Sequence, residues 1–224
     1  AQGGRLAKAS DLFEKLAYAE AIPYFETVCN TEQDSPELRE KLAYCYLSTH
    51  QLIKAETAYK SLVNQKPSAE NHYWYAYTLL SLDKHDEAQT HMAQFAAMKP
   101  ADTRAILWTK QQNFLTQIKN EPAYFQWKEV NINTEDHAEF GVYPYPLKNT
   151  GVIVSSRKKK GFGDLRWAGN NDYYLELFAV RINEDGTLTL PSQLENPLNS
   201  NKHEGPLCFS ADGNTVYFTS NNRD

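Results

Sequence analysis

An internal repeat with a period of about 33 residues most restricts how this sequence can fold, because such periods indicate arrays of stacked units. An ordered set of small and large apolar residues beginning at Leu42 returns beginning at Tyr75, with every position shifted by the same amount. A third copy, beginning at Leu12, lies upstream at nearly the same spacing. Apolar residues at helical spacing within such a repeat indicate stacked pairs of helices. The matched positions are Leu42, Ala43, Tyr46, Ala55, Tyr59, Leu62 and Pro67, then Tyr75, Ala76, Leu79, Ala88, Met92, Phe95 and Pro100, and upstream Leu12, Ala21, Phe25 and Val28.

The small residues of the pattern predict where helices cross. Alanine at these positions lets the two helices of a pair approach closely, and the larger residues one turn away fill the space between pairs. Proline cannot continue a helix, so Pro67 and Pro100 should end the second helix of their repeats. We expect repeats at about 2–35, 36–68 and 69–101, with Pro23 kinking or shortening the second helix of the first repeat.

A further helix is predicted over residues 102–118, with Asp102 or Thr103 as its N-cap. Its apolar stripe should cover the open end of the array, because each helix pair leaves one face to be buried by a neighbour. The stripe consists of Ile106, Leu107, Phe114, Leu115 and Ile118.

The order of small and large residues resembles the tetratricopeptide repeat (TPR), a helix-turn-helix unit. In that family the first helix of each pair lines a concave groove. The positions that point into the groove hold Glu37, Glu40, Tyr44, Leu47, Glu70, Tyr73, Tyr77 and Leu80. The resemblance implies an acidic, tyrosine-rich trough that would bind a basic or amide-rich segment of a partner protein. The alternative is that these tyrosines only pack within the protein. The Lys and Asn residues by which chaperone-binding relatives clamp a terminal carboxylate are missing at these positions, which disfavours a receptor for chaperone tails.

Composition changes near residue 120, where Gly, Asn and Pro become frequent and apolar residues begin to alternate. We expect a helical domain over 1–120, a linker over 121–137 and a β domain over 138–224. Residues 137–143 and 203–209 are an imperfect internal echo, and each precedes a strand-like run. Two hairpin turns are predicted: residues 212–214 join the segment 203–209 to the strand-like run 215–220, and residues 184–186 join strands over 174–181 and 188–190.

The segment 204–220 contains Phe209-Ser210-Ala211-Asp212-Gly213 followed by Tyr217-Phe218-Thr219-Ser220. It resembles the WD40-like blade repeat of TolB-type β-propellers. Propellers are typically built from four to eight blades of four strands each. The β region has room for two blades at most, so we expect this chain to be the front part of a longer protein. The predicted fold class is therefore an all-α TPR solenoid followed by part of an all-β WD40-like propeller.

The combination of TPR array and WD40-like blades resembles the OmpA-family proteins of type IX secretion and gliding motility. That resemblance implies a non-catalytic periplasmic scaffold associated with the outer membrane. Its implied partners are proteins of the apparatus, including an outer-membrane β-barrel, and peptidoglycan through a downstream OmpA-like domain. The small residue at the start, Ala1, is consistent with cleavage of a signal peptide, and because it is not Cys a lipid anchor at this end is not expected. The alternatives are the recognition region of a propeller-containing hydrolase and a generic cytosolic adaptor.

Charge and motif content point away from several other functions. A net charge of -5 does not suit a nucleic-acid binder, and no uncharged apolar run is long enough to span a bilayer. No sequence motif for a hydrolase, a phosphate loop or a metal site occurs, so no enzyme activity, cofactor or metal is predicted. His85 and His91 are expected on the solvated surface. Cys29, Cys45 and Cys208 are expected to act as small buried apolar residues.

One basic cluster stands out in the β region. It consists of Arg157, Lys158, Lys159 and Lys160, with Trp167 nearby. Basic residues beside an aromatic ring can grip phosphates or stack on bases. A solvated loop, a loop contacting protein or lipopolysaccharide, and a nucleic-acid contact all remain open, in decreasing order of preference.

Overall fold

The computed structural model of the chain describes residues 2–31, 34–112, 114, 117, 129–132, 137–146, 148–158, 165–195 and 197–221. The chain divides into two compact units. The first, the helical unit, comprises Ala1–Tyr124 with Ala168–Asn171, and the second, the β unit, comprises Phe125–Trp167 with Asp172–Asp224. Within the described residues, no helix has both the length and the apolar character needed to cross a membrane.

Among the described residues of the helical unit, three pairs of helices are followed by a seventh helix. The pairs are α1 (Gln2–Glu14) with α2 (Tyr18–Cys29), α3 (Pro36–Ser48) with α4 (Leu52–Gln65), and α5 (Ala69–Ser81) with α6 (His85–Met98), followed by α7 (Thr103–Lys110). Each helix packs mainly on its neighbours in sequence, as stacked helix pairs do. The helix pairs predicted by the internal repeat are therefore present.

The first helices of successive pairs begin in the same way. Ser35 and Ser68 are extended and accept a hydrogen bond from the backbone N–H three residues on, and Asp102 accepts one from Arg104. A side-chain acceptor at the N-cap satisfies one of the backbone donors that a helix leaves open at its start. The helices α3, α5 and α7 thus begin with similar N-caps, one repeat apart in sequence.

The turn inside each helix pair contains one residue in the left-handed region. These residues are Leu16, His50 and Asp83, with φ values of 59°, 56° and 60°. A residue with a Cβ is disfavoured in this conformation, and glycine is not. Three non-glycine residues at matching positions of three repeats show that the turn geometry is imposed by the packing of the helices it joins.

The core of the helical unit follows the predicted pattern. The crossing alanines Ala43, Ala55, Ala76 and Ala88 are completely buried, and Phe25, Tyr59 and Phe95 fill the space around them. The helices α4 and α6 end at Gln65 and Met98, just before the two prolines. The helix α2 continues through Pro23.

The predicted covering stripe behaves differently from the expectation. Asp102 is the N-cap as predicted, but Ile106, Leu107 and Phe114 are 40%, 51% and 50% exposed, and Ala105 is the residue of α7 that is buried. The helix α7 packs on α6, and Ala105 is its fully buried residue, whereas Trp108 is half-buried. Leu115 and Ile118 lie outside the described residues.

The described residues of the β unit form two antiparallel sheets. A four-stranded sheet has the order β1 (Glu139–Pro144), β2 (Thr150–Ser155), β3 (Glu176–Arg181), β4 (Ser192–Gln193), and a hairpin joins β5 (Glu204–Phe209) to β6 (Val216–Ser220). The turn before β6 is the predicted one, with Gly213 at φ +71°. The predicted strand at 188–190 is wrong, because Leu188 makes only an isolated bridge and β3 pairs with Ser192 and Gln193.

The two outer hairpins share a structural detail. Glu139 of β1 lies opposite Ser155 of β2, and Glu204 of β5 lies opposite Ser220 of β6. In both hairpins the serine hydroxyl donates to the glutamate, over 3.3 and 3.4 Å, and the register shifts shortly afterwards through an irregularity of the β-bulge kind. The two similar sequence segments therefore form hairpins with the same Glu–Ser pairing and a similar register shift.

Candidate functional site

Five aromatic rings form a continuous series across the first helices of the three pairs and the start of α2. We call this series, Phe13, Tyr18, Tyr44, Trp74 and Tyr77, the aromatic ladder. Tyr44 is its centre, with its ring 6.1 Å from Phe13, 5.5 Å from Tyr18 and 5.0 Å from Trp74. Trp74 lies 5.9 Å from Tyr77. All these contacts are edge-to-face, an arrangement that aromatic quadrupoles favour.

The ladder is embedded at one end and open at the other. Tyr44 and Trp74 are half-buried, whereas Tyr77 and its neighbour Leu80 are 49% and 43% exposed. Burial is the largest cause that raises the pKa of Tyr18, followed by the Tyr44 phenol. The open end is a rigid aromatic and aliphatic surface of the kind that carries binding energy in protein interfaces.

Leu47 is the one predicted groove residue that the structure buries. Its exposed fraction is 7%, so it belongs to the core between helices and offers no surface to a partner. Tyr73 is half-buried, with its ring 5.0 Å from Trp74 and the Arg104 guanidinium 4.3 Å from its centroid.

The predicted acidic residues of the second repeat are held in ion pairs. The Lys66 ammonium lies 2.7 Å from Glu37 and 3.5 Å from Glu40. The hydrogen bond from Lys66 is the largest cause that lowers the pKa of Glu37, to about 2. Glu40 also accepts a hydrogen bond of 2.9 Å from Asn71 in the next helix pair. The Asn71 contact joins neighbouring repeats, and the two Lys66 contacts, made within one repeat, offset the negative charge of the glutamates.

Glu70 accepts hydrogen bonds from two cationic side chains. Arg104 of α7 donates to both its carboxylate oxygens, over 3.0 and 2.8 Å, and Lys99 donates over 2.9 Å. Arg104 also binds Asp102 and is the largest cause that lowers the pKa of Glu70. A two-pronged guanidinium–carboxylate pair is stronger than a single contact.

The trough is therefore aromatic rather than strongly acidic. All three predicted glutamates contact the chain's own cations, so a basic partner would have to displace these cations to reach them. The open rings of Tyr77 and its ladder neighbours make a better contact surface than the carboxylates. Binding of a partner by these residues stays a prediction.

The sequence reasoning did not include Trp74, Phe13 or Tyr18 in the site. A signal for Trp74 was present, because it precedes Tyr77 by three residues and so shares its face of α5. Phe13 and Tyr18 flank the first turn and join the ladder only through tertiary packing. Their contact with Tyr44 crosses from the first helix pair to the second.

The basic cluster of the β unit is only partly a surface feature. Arg157 pairs with Glu139 over 2.8 Å and donates to the Ile132 carbonyl, and its side chain is 20% exposed. Its charge thus stabilises the β1–β2 hairpin. Lys158 is exposed, Trp167 is 41% exposed, and Lys159 and Lys160 lie outside the described residues.

The expectation that His91 is a solvated surface residue is wrong. Its Nδ1 atom lies 3.0 Å from Nδ1 of His72, across the α5–α6 pair, so one imidazole donates a hydrogen bond to the other. Burial is the largest cause that lowers the pKa of both residues. The pair arises because the two histidines, one on each helix of the pair, face each other between antiparallel helices.

The three cysteines differ in burial. Cys45 is buried as expected, Cys29 is half-buried, and Cys208 is exposed, contrary to expectation. In the part of the chain that the structure describes, no three His, Cys, Asp or Glu side chains come together in a metal-binding group.

Comparison with known proteins finds one family model that matches part of the helical unit. The family model for anaphase-promoting complex, cyclosome, subunit 3 matches residues 14–95. A search of curated proteins gives no match.

Three solved structures illustrate the structural similarity. YrrB, a TPR protein with an unusual peptide-binding site, is 17% identical over 46% of this chain and 53% of its own, with a TM-score of 0.42. The first TPR of Spaghetti (RPAP3) bound to an HSP90 peptide is 17% identical over 54% and 94%, with a TM-score of 0.45. MamA (MSR-1 C2) is 16% identical over 45% and 58%, with a TM-score of 0.42, so the chain spans little more than half of MamA and of YrrB. The N-terminal region is a TPR-like array of helix pairs.

Proposed function

We propose that this chain is a non-catalytic scaffold that binds a partner protein through the open end of the aromatic ladder. The observation that carries the proposal is the half-exposed series of rings from Tyr44 to Tyr77. Rigid aromatic side chains provide a large contact area and lose little entropy on binding. Stacked helix pairs commonly serve as extended protein-binding surfaces.

The β unit supports a second part of the proposal, that it begins a WD40-like propeller. A propeller blade is a four-stranded antiparallel sheet, and the strands β1 to β4 form one such sheet in chain order. The β5–β6 hairpin then repeats the glutamate, serine and register shift of the β1–β2 hairpin. Two successive blades with the same entry geometry would account for both observations.

The cellular setting belongs to the same proposal. We place the scaffold in the periplasm beside the outer membrane, within a secretion or gliding apparatus of the type IX kind. Its partner there is an outer-membrane β-barrel protein. An OmpA-like domain of the scaffold protein itself attaches the scaffold to peptidoglycan. The support is the joint presence of TPR-like repeats and the WD40-like segment 204–220 on one chain.

Site-specific photo-crosslinking in the native host tests the ladder as the binding face. A photoreactive phenylalanine analogue at Tyr77 should crosslink an envelope protein, because this ring is exposed at the open end of the ladder. The matched control is the same replacement at Tyr217, which is 64% exposed on β6 and remote from the ladder in sequence. Tyr77→Ala in a co-purification should lower recovery of that same protein at least fivefold.

Two outcomes would count against the proposal. Crosslinks at Tyr217 but not at Tyr77 would move the binding face to the β unit. Recovery of the protein in the cytosol rather than the envelope after cell fractionation would remove the proposed setting while leaving the ladder to be judged by its crosslinks.

A further inference from the structure

A cavity of about 410 Å³ opens between α2, α3 and α4, and the aromatic ladder takes no part in it. Its size lies within the range of small-molecule binding sites. The residues that line it are Cys29, Asn30, Arg39, Leu42, Tyr46, Ile53, Lys54, Thr57, Ala58 and Ser61.

The wall of the cavity is largely apolar. Leu42 and Tyr46 are buried, with 9% and 8% of their surface exposed, and Ala58 packs against the core from α4. Ile53, by contrast, is 67% exposed although it belongs to the same wall. An apolar ligand that covers a large exposed aliphatic side chain beside an apolar cavity lowers the free energy of the system.

The charged groups of the wall have one sign. Among the described lining residues, Arg39 and Lys54 are charged and both are cationic. Their carboxylate partners, Asp34 and Glu26, contact them from outside the lining, Glu26 at 3.3 Å from the Lys54 ammonium. A ligand in the cavity therefore meets two cations and, among the described lining residues, no carboxylate.

We propose that this cavity binds an anionic amphiphile, a molecule with an aliphatic body and one carboxylate, such as a medium-chain fatty acid. The aliphatic body would lie against Leu42, Ile53 and Ala58. The carboxylate would lie beside Lys54 and Arg39, since opposite charge at the edge of an apolar site orients the ligand and adds to its affinity. The proposal goes beyond the scaffold function and does not depend on it.

Calorimetric titration of the full chain with decanoate, below its micelle concentration, tests the binding. The matched probe is nonyltrimethylammonium, which has the same alkyl chain and a positive head group. We expect decanoate to bind at one site at least tenfold more tightly than the cation. Equal binding of the two probes would show that the wall charges do not select the ligand and would overturn the proposal.

Three variants place the ligand. Ala58→Phe fills the cavity and should weaken decanoate binding at least tenfold. Lys54→Gln should weaken it about fivefold, through loss of one charge pair. Glu26→Gln should strengthen it instead, because Lys54 loses its competing carboxylate while the amide still accepts the 2.7 Å hydrogen bond from Tyr46. The changes in decanoate affinity expected for Lys54→Gln and Glu26→Gln have opposite signs. This comparison tests the proposal even if Ala58→Phe does not fold.

The thiol of Cys29 reports occupancy from inside the wall. Decanoate should slow modification of Cys29 by N-ethylmaleimide at least threefold, followed by peptide mass mapping at mildly alkaline pH because burial raises the pKa of this thiol to about 11. Cys208, which is exposed and lies in the β unit, is the internal control and should react at an unchanged rate. Protection of neither thiol, or of both equally, would contradict binding in this cavity.

Discussion

The left-handed turn residues allow a prediction about stability. A Gly variant should be more stable than an Ala variant at these turns, whereas the reverse should hold inside a helix. We consider Gly and Ala variants at Leu16, His50 and Asp83. Comparing Gly with Ala at one position removes the native side chain's own interactions from the comparison, since neither variant makes them. What remains is the backbone preference of that position.

The magnitude follows from two opposing effects. A residue with a Cβ costs roughly 1–2 kcal/mol in the left-handed region, and glycine loses roughly 0.5–1 kcal/mol more conformational freedom on folding. Each Gly variant should therefore exceed its Ala counterpart in free energy of unfolding by about 0.5–1 kcal/mol. Because the three turns are separated by a whole repeat, the triple Gly variant should exceed the triple Ala variant by about 2 kcal/mol.

Urea unfolding of the full chain, followed by far-ultraviolet circular dichroism, measures these differences. The control position is Lys60, which is exposed in the middle of α4. There Ala should exceed Gly by about 1 kcal/mol, because the residue is helical. Equal stability of the Gly and Ala variants at all three turns, with the expected difference at Lys60, would refute the argument that helix packing imposes the turn geometry.

Three further predictions concern charged groups. The pKa of both His72 and His91 is lowered by burial in the folded chain, so near the ordinary histidine pKa of about 6.5 the unfolded chain takes up protons first. The free energy of unfolding should then fall between about pH 7 and pH 5, and urea titrations should show a shallower fall for His91→Gln. Arg104→Gln removes the paired hydrogen bonds that tie α7 to the third repeat, and should cost about 1 kcal/mol and speed hydrogen exchange within α7. Arg157→Met leaves the Glu139 carboxylate poorly exposed and without its cation, at a cost of about 3 kcal/mol. Adding Glu139→Gln should recover most of that loss, and a double-mutant cycle measures the coupling.

The helical pairs could be predicted because their signals are local and repeated. Alanines at the crossings, prolines after α4 and α6, and the N-cap residue before α7 each act within a few residues of the structure they determine. The sheet was predicted less accurately because its strands are short. Residues 188–190 alternate as a strand would, yet β3 pairs with residues 192 and 193, and register depends on tertiary packing as well as on local sequence.

The character of the candidate site was harder to predict because it depends on contacts between residues far apart in sequence. Glu37 pairs with Lys66 of its own repeat, and Glu70 pairs with Lys99 at the same separation in sequence. This repeated separation is visible in the sequence, but only the fold shows that it brings opposite charges together. Tyr44 and Tyr77 were chosen from the family pattern, whereas the ring of Trp74 that connects them was not.

The bulge in β1 has a consequence for how the protein behaves at high concentration. In the described part of the four-stranded sheet, β1 is an outer strand, and its outward hydrogen-bonding groups could otherwise serve as a template for a strand from another molecule. The extra residue between Phe140 and Val142, Gly141 at φ +65°, interrupts the even spacing of those groups and bends the strand. Phe140 and Val142 are therefore exposed at the edge of the sheet without a regular strand edge on which aggregates would grow.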